Sequence, residues 1–250
     1  MIDTRQLADE MFSAITAGRH KPCVNTLLQG DLTLAYDVQQ AMFERYQAEA
    51  IAGFKAGATS EIAQQRLGLE APAAGFLLAD GRYVSGDKIA LATFQAPLLE
   101  VEFGYILATD ITDPVTADEV MSGVGAIHLM FELANPAFDQ PAFAAADLIA
   151  GNVAGAAHVL GPAVSVEDPD LITLSLEFNG EEVMQGKGSD AMGGQKLALS
   201  WLLNQCLALD YPLNKGQLLM TGALGRPVPV KAGEYKACFS GLGYVEAVFA

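Results

Sequence analysis

Between Lys88 and Lys187 the chain carries no Lys or Arg, while fifteen Asp and Glu fall in the same interval. Any fold must bring water, hydrogen-bond donors or a cation from elsewhere to those acids, because burying an unpaired carboxylate is costly. Most of them, Asp118, Asp168 and Asp170 among them, lie beside turn or helix-start signals and are expected to be solvated. Glu100 and Glu102 in Leu98–Leu107, and Glu132 in Ile127–Leu133, lie instead in runs apolar enough for central strands. Residues two apart in a strand share a face with Cα atoms roughly 6.5–7 Å apart, so Glu100-Val101-Glu102 presents two carboxylates side by side. Two arrangements satisfy this pattern. Either Val101 and Phe103 fill the core while Glu100 and Glu102 face water, or the acids converge on a cation. Hard oxygen donors with no Cys or His beside them suit Mg²⁺ or Mn²⁺ better than zinc.

Composition narrows the class. With 250 residues, 51% hydrophobic and 18% charged, the chain has material for one large core and lacks the signature of disorder. A net charge of -16 and a pI near 4.4 argue against nucleic acid or an anionic membrane surface as partner. No run of about 18 apolar residues occurs, and Met1-Ile2-Asp3-Thr4-Arg5 is unlike a signal peptide, so a cytoplasmic location is expected. Cys23, Cys206 and Cys238 form no CxxC pair and are expected to be reduced. His20, His128 and His158 are scattered without a motif. Gly186-Lys187-Gly188 lacks the rest of a phosphate loop, and neither GxGxxG nor GxSxG is present.

Helical spacing predicts helices over 3–17 and 33–50, the second with Thr33 as N-cap, ended by Gly18 and Gly53 respectively. Ser60 should cap a short helix through Leu67, and Gly53–Ser60 sets a lone Lys55 among small residues that allow close approach. Thr116-Ala117-Asp118-Glu119 reads as the capping box of a short helix, and 141–150 and 197–209 as further helices. Strands are expected within 88–107 and over 126–133, 171–178, 217–221, 235–239 and 243–249, with Asn179-Gly180 as a type I′ turn. The class is therefore α+β with a mixed, largely antiparallel sheet. A boundary near residue 60 would separate an N-terminal helical segment, 1–60, from a β-rich catalytic domain, 61–250.

Four stretches together are similar to the 2-keto-4-pentenoate hydratase and 4-oxalocrotonate decarboxylase family of the fumarylacetoacetate hydrolase superfamily: Leu32–Gln39, Gly53–Ser60, Leu99–Phe103 and Phe131-Glu132. Asn179-Gly180, Gly186–Ser189, Trp201-Leu202 and Leu219–Gly225 through Gly243 extend the resemblance over roughly residues 30–250. It implies a β roll or barrel of the fumarylacetoacetate hydrolase type, and Mg²⁺ or Mn²⁺ held by Glu100, Glu102 and Glu132. Lys55 would act near the substrate, and the backbone around Thr221 and Leu224 would shape the pocket. The implied reaction is hydration of a 2-hydroxy-2,4-dienoate (2-oxo-4-enoate) to a 4-hydroxy-2-oxo acid in aromatic catabolism, in a homo-oligomer. The chain departs from the family pattern at three places. An Asp is Ala73, an Arg five residues after the third Glu is Ala137, and the Asp-Asn-Ala-Ser stretch reads Gly151-Asn152-Val153-Ala154. These changes leave open decarboxylation of a 2-oxo acid of the 4-oxalocrotonate type, or a catalytically degraded partner subunit.

Overall fold

A computed structural model describes residues 2–250. Helix α1 (Thr4–Thr16) starts where the Asp3 carboxylate accepts the N–H groups of Arg5 and Gln6, and buries Leu7, Ala8, Met11 and Ala14. A single turn, α2 (Asn25–Leu28), precedes α3 (Leu32–Phe43). The cap of α3 is Asp31 rather than Thr33, its carboxylate taking the N–H groups of Thr33 and Leu34. The expected continuation to residue 50 also fails: α3 ends at Phe43, a 3₁₀ turn follows at Ala48–Ala50, and Gly53 lies inside strand β1 (Ile51–Gly57).

Ser60 caps α4 (Glu61–Leu67) as the sequence predicts. Then come β2 (Ala73–Leu78), β3 (Arg82–Val84), β4 (Lys88–Ile89), β5 (Leu98–Leu107) and β6 (Val124–Ala134). Thr116 does bond Glu119, but a 3₁₀ turn at Val120–Gly123 stands where an α-helix was expected. Helix α5 (Ala145–Ala150) is shorter than expected and leads to β7 (Gly155–Val164). The remaining elements are β8 (Thr173–Phe178), β9 (Glu181–Lys187), α6 (Gln195–Ala208), β10 (Leu218–Met220), β11 (Val228–Pro229), β12 (Gly233–Phe239) and β13 (Gly243–Phe249).

Two sheets result. The larger runs β2-β1-β10-β5-β6-β7-β3 with β11 on β5, and the smaller runs β4-β13-β12-β8-β9. Among the strands of the described residues only β1–β10, β3–β7 and β4–β13 pair in parallel, so the architecture is the mixed, largely antiparallel α+β roll expected. The larger sheet curls until its β2 edge meets the turn feeding β7, where Asn152 exchanges two hydrogen bonds with the backbone of Phe76. One face of that sheet sends Val101, Phe103, Tyr105, Leu129, Phe131, Val159, Phe54 and Phe76 into the main core. The opposite face has its own small apolar cluster of Leu77, Met130, Leu218 and Met220. Both faces being covered there, β5 is buried from Val101 to Tyr105 and β6 from Leu129 to Ala134. No helix among the described residues is long and apolar enough to cross a membrane.

Candidate metal centre

The register of β5 on β6 pairs Glu100 with Glu132 and Glu102 with Met130. Paired residues share a face, so the three carboxylates stand together on the side away from Val101 and Phe103. Val101 and Phe103 do fill the core, yet their carboxylate neighbours are not turned to water. Glu102 and Glu132 are fully buried and Glu100 is partly so. One oxygen from each of the three lies within 4.8 Å of the others.

Lys55 reaches the same face from two strands away. The register runs Lys55 opposite Met220 on β10, and Met220 opposite Gly104 on β5. A Cβ on Gly104 would lie 1.9 Å from the Met130 sulfur, so glycine leaves that side chain its room. The Lys55 ammonium bonds the Glu132 carboxylate and donates to the Val153 carbonyl at 3.1 Å. Burial works to deprotonate it, but the charges of Glu132, Glu100 and Glu102 outweigh burial and raise its pKa.

One ammonium facing three carboxylates leaves an excess of buried negative charge. Burial and the charge of Glu132 push Glu100 up to about 7 against the pull of Lys55. Glu102 is raised well above the ordinary carboxylate range by burial and by Glu132 and Glu100. Its Oε2 accepts the Gly222 N–H at 2.8 Å, but Glu102 Oε1 and Glu132 Oε2 are buried with no donor. Two orphaned carboxylate oxygens in a hard-donor set fit a divalent cation, which would satisfy them and offset the excess charge together.

Thr221 and Leu224 are placed differently. The Thr221 hydroxyl donates to Gln195 Oε1 at 2.7 Å, which also accepts from Tyr105, while the next amide, Gly222, holds Glu102. Leu224 is buried in the main core with its N–H on the Val101 carbonyl. Ala73, Ala137 and Ala154 are all buried.

Sequence reasoning missed the turn that grips Lys55. Asn152, Val153 and Ala154 all have positive φ (57°, 49° and 55°), a conformation that strains a β-branched residue such as Val153. The Asn152 side chain holds this turn by accepting the Phe76 N–H at 2.8 Å and donating to the Phe76 carbonyl at 2.9 Å. Strain of this kind has no composition signal; a lone Asn after Gly151 is its one visible trace.

Residues 54–250 match the family described as fumarylacetoacetate (FAA) hydrolase C-terminal. The chain is 33% identical to a 2-keto-4-pentenoate hydratase of Burkholderia vietnamiensis over 97% of its own length and 96% of that protein's. It is 28% identical to a 2-hydroxyhexa-2,4-dienoate hydratase of Comamonas testosteroni, covering 84% of this chain and 83% of the other. Among solved structures, 4-oxalocrotonate decarboxylase from Pseudomonas putida G7, complexed with magnesium and adipate, superposes with a TM-score of 0.92 at 24% identity, covering 99% of this chain and 97% of that one.

Proposed function

The chain belongs to the fumarylacetoacetate hydrolase family, and from that premise we propose a divalent-metal-dependent hydratase that adds water to a 2-hydroxy-2,4-dienoate, giving a 4-hydroxy-2-oxo acid. One observation carries the reading: Glu100, Glu102 and Glu132 converge with two buried oxygens unmatched, in a chain whose near full-length relatives bear hydratase names. Those three residues would hold Mg²⁺ or Mn²⁺, as the magnesium in the decarboxylase structure supports. Such an ion, when bound, supplies Lewis-acid stabilisation of the negative charge on a 2-oxo acid.

The remaining chemistry falls to the chain. Lys55 Nζ lies against the Glu132 carboxylate, and the Val153 carbonyl, to which it donates, fixes its direction. It gives a proton to C5 of the dienol and recovers one from the 2-hydroxyl, so the dienol becomes a 2-oxo-3-enoate with no net proton consumed. Water then adds across the conjugated double bond, its oxygen to C4 and a hydrogen to C3. The Gly222 amide holds Glu102 in place, and Asn152 holds the strained turn that aims Lys55. Burial of Lys55, Glu102 and Glu132 shields these charges from bulk water, strengthening each interaction.

The test is the dienol absorbance of 2-hydroxypenta-2,4-dienoate with the protein and Mg²⁺ or Mn²⁺. Loss of that absorbance with formation of 4-hydroxy-2-oxopentanoate is expected. Unchanged absorbance over several dienoates would contradict the hydratase reading. Release of CO₂ from a 2-oxo dicarboxylate would turn it to decarboxylation, and inertness in both assays to a partner role.

A further inference from the structure

A second buried ammonium lies close to the centre and has no part in the reaction above. Lys21, on the segment between α1 and α2, is only 6% exposed. Its backbone is laid against the chain just past β6: the Lys21 N–H donates to the Ala137 carbonyl and the Asp139 N–H to the Lys21 carbonyl, both at 2.8 Å. The side chain is thereby carried to the end of the strand that bears Glu132. There Nζ donates to the Asn135 carbonyl at 2.7 Å and stands 4.9 Å from the Phe138 ring centroid. Among the described residues no carboxylate lies within 4.0 Å of it; the ion pairs there are Lys55–Glu132 and Arg45–Asp9.

The two lysines bracket one short piece of backbone. Asn135 follows Glu132 by three residues, and its N–H donates at 2.7 Å to Ala154, the neighbour of the Val153 whose carbonyl holds Lys55. Lys55 has its carboxylate and Lys21 has none. Burial, and after it the charge of Lys55, lower Lys21 to about 8. A buried cation without a counter-ion is expensive to maintain, and here a like charge adds to the expense.

We propose that Lys21 is a substrate-binding residue that pairs with the carboxylate of the 2-oxo acid, an inference that rests on the hydratase reading. Three carboxylates, two ammonium groups and one dication leave a single positive charge, and one monocarboxylate balances it. The anion gives Lys21 the partner it lacks, and its ammonium gives the substrate a charge-assisted hydrogen bond in a dry site.

The test is calorimetric binding of 2-oxopentanoate, and of its uncharged amide, to the Mn²⁺-loaded protein in wild type, Lys21→Gln and Lys21→Arg. Glutamine keeps a donor for the Asn135 carbonyl and removes the charge. Lys21→Gln is expected to bind the acid roughly 10- to 100-fold more weakly, as loss of a charged hydrogen bond gives, with Mn²⁺ affinity within about threefold. Lys21→Arg should restore most of the binding, and the amide should bind wild type weakly. Equal affinity of wild type and Lys21→Gln for the acid overturns the Lys21 assignment and leaves the hydratase reading standing. If wild type takes Mn²⁺ but not 2-oxopentanoate, both fall. Should Lys21→Gln fail to fold by circular dichroism, the comparison of acid with amide in wild type decides, equal affinities overturning the assignment.

Discussion

Lys55 is held by a charge and by a carbonyl, and the two have different consequences when it is replaced. Lys55→Met removes the proton donor and frees Glu132 from its ion pair. The kcat for dienoate hydration should fall by about 10²- to 10⁴-fold, while Mn²⁺ affinity holds or rises because the ammonium no longer competes for Glu132. Steady-state rates beside a calorimetric titration check this, and a kcat within about threefold of wild type, the scatter of a residue that does not act, would contradict it. The period-two pair Glu100 and Glu102 and the lone Lys55 between glycines are local patterns, and with the family resemblance that joins Glu132 to them the four were legible in sequence. Lys21 and Asn152 were not. Lys21 finds the Asn135 carbonyl across 114 residues and Asn152 finds Phe76 across 76, and neither reach leaves a mark in the local sequence.

The strands carry a second kind of constraint, in which backbone meets backbone. Gly53 has φ +153° in β1, and a Cβ there would lie 1.8 Å from the Leu218 carbonyl oxygen of β10. Gly53→Ala should therefore cost roughly 3 kcal/mol or more, read by urea denaturation; a loss under about 1 kcal/mol would contradict the β1–β10 pairing. That glycine was expected to end a helix, because Gly signals termination and close approach alike. The element-level reading was surest where turn chemistry is strict: Asn179 (φ 50°) and Gly180 (φ 82°) form the β8–β9 turn as expected. On β7, burial and then the charge of Arg82 lower His158 to about 4. A folded-state pKa below the unfolded value near 6.5 means that the folded state resists protonation, so this group costs nothing above about pH 6.5 and destabilises increasingly as pH falls towards 4. Wild type should thus lose roughly 3 kcal/mol relative to His158→Leu between about pH 7 and 4. Parallel stability curves over that window would contradict it.

At the scale of the molecule, the two sheets and the helices cover both faces of β5 and β6, and the acid-rich middle of the chain is thereby forced to find its cations from outside itself. Lys55 and Lys21 both come from before residue 60, while all three glutamates come from the interval without Lys or Arg. Sequence patterning showed the deficit; only the curled sheet and the packing of the 19–24 segment show how it is met. Metal loading should accordingly stabilise the whole fold. At about 100 times Kd a ligand adds about 2.7 kcal/mol, which for a chain of this size raises Tm by roughly 5–10 °C. Chelation should reverse the shift, and a Tm indifferent to Mn²⁺ and to chelator would count against a centre that binds only the folded state.

The most direct measurement is calorimetric titration of the metal-free protein with Mn²⁺, beside Glu102→Gln, which keeps the shape of the side chain and removes its charge. Saturable binding of one Mn²⁺ per chain in wild type, weakened at least about 10-fold in the variant as second-order losses at metal sites already are, is the predicted result. Absence of saturable binding in wild type, or equal binding by both proteins, would contradict the convergence of Glu100, Glu102 and Glu132 on a metal ion.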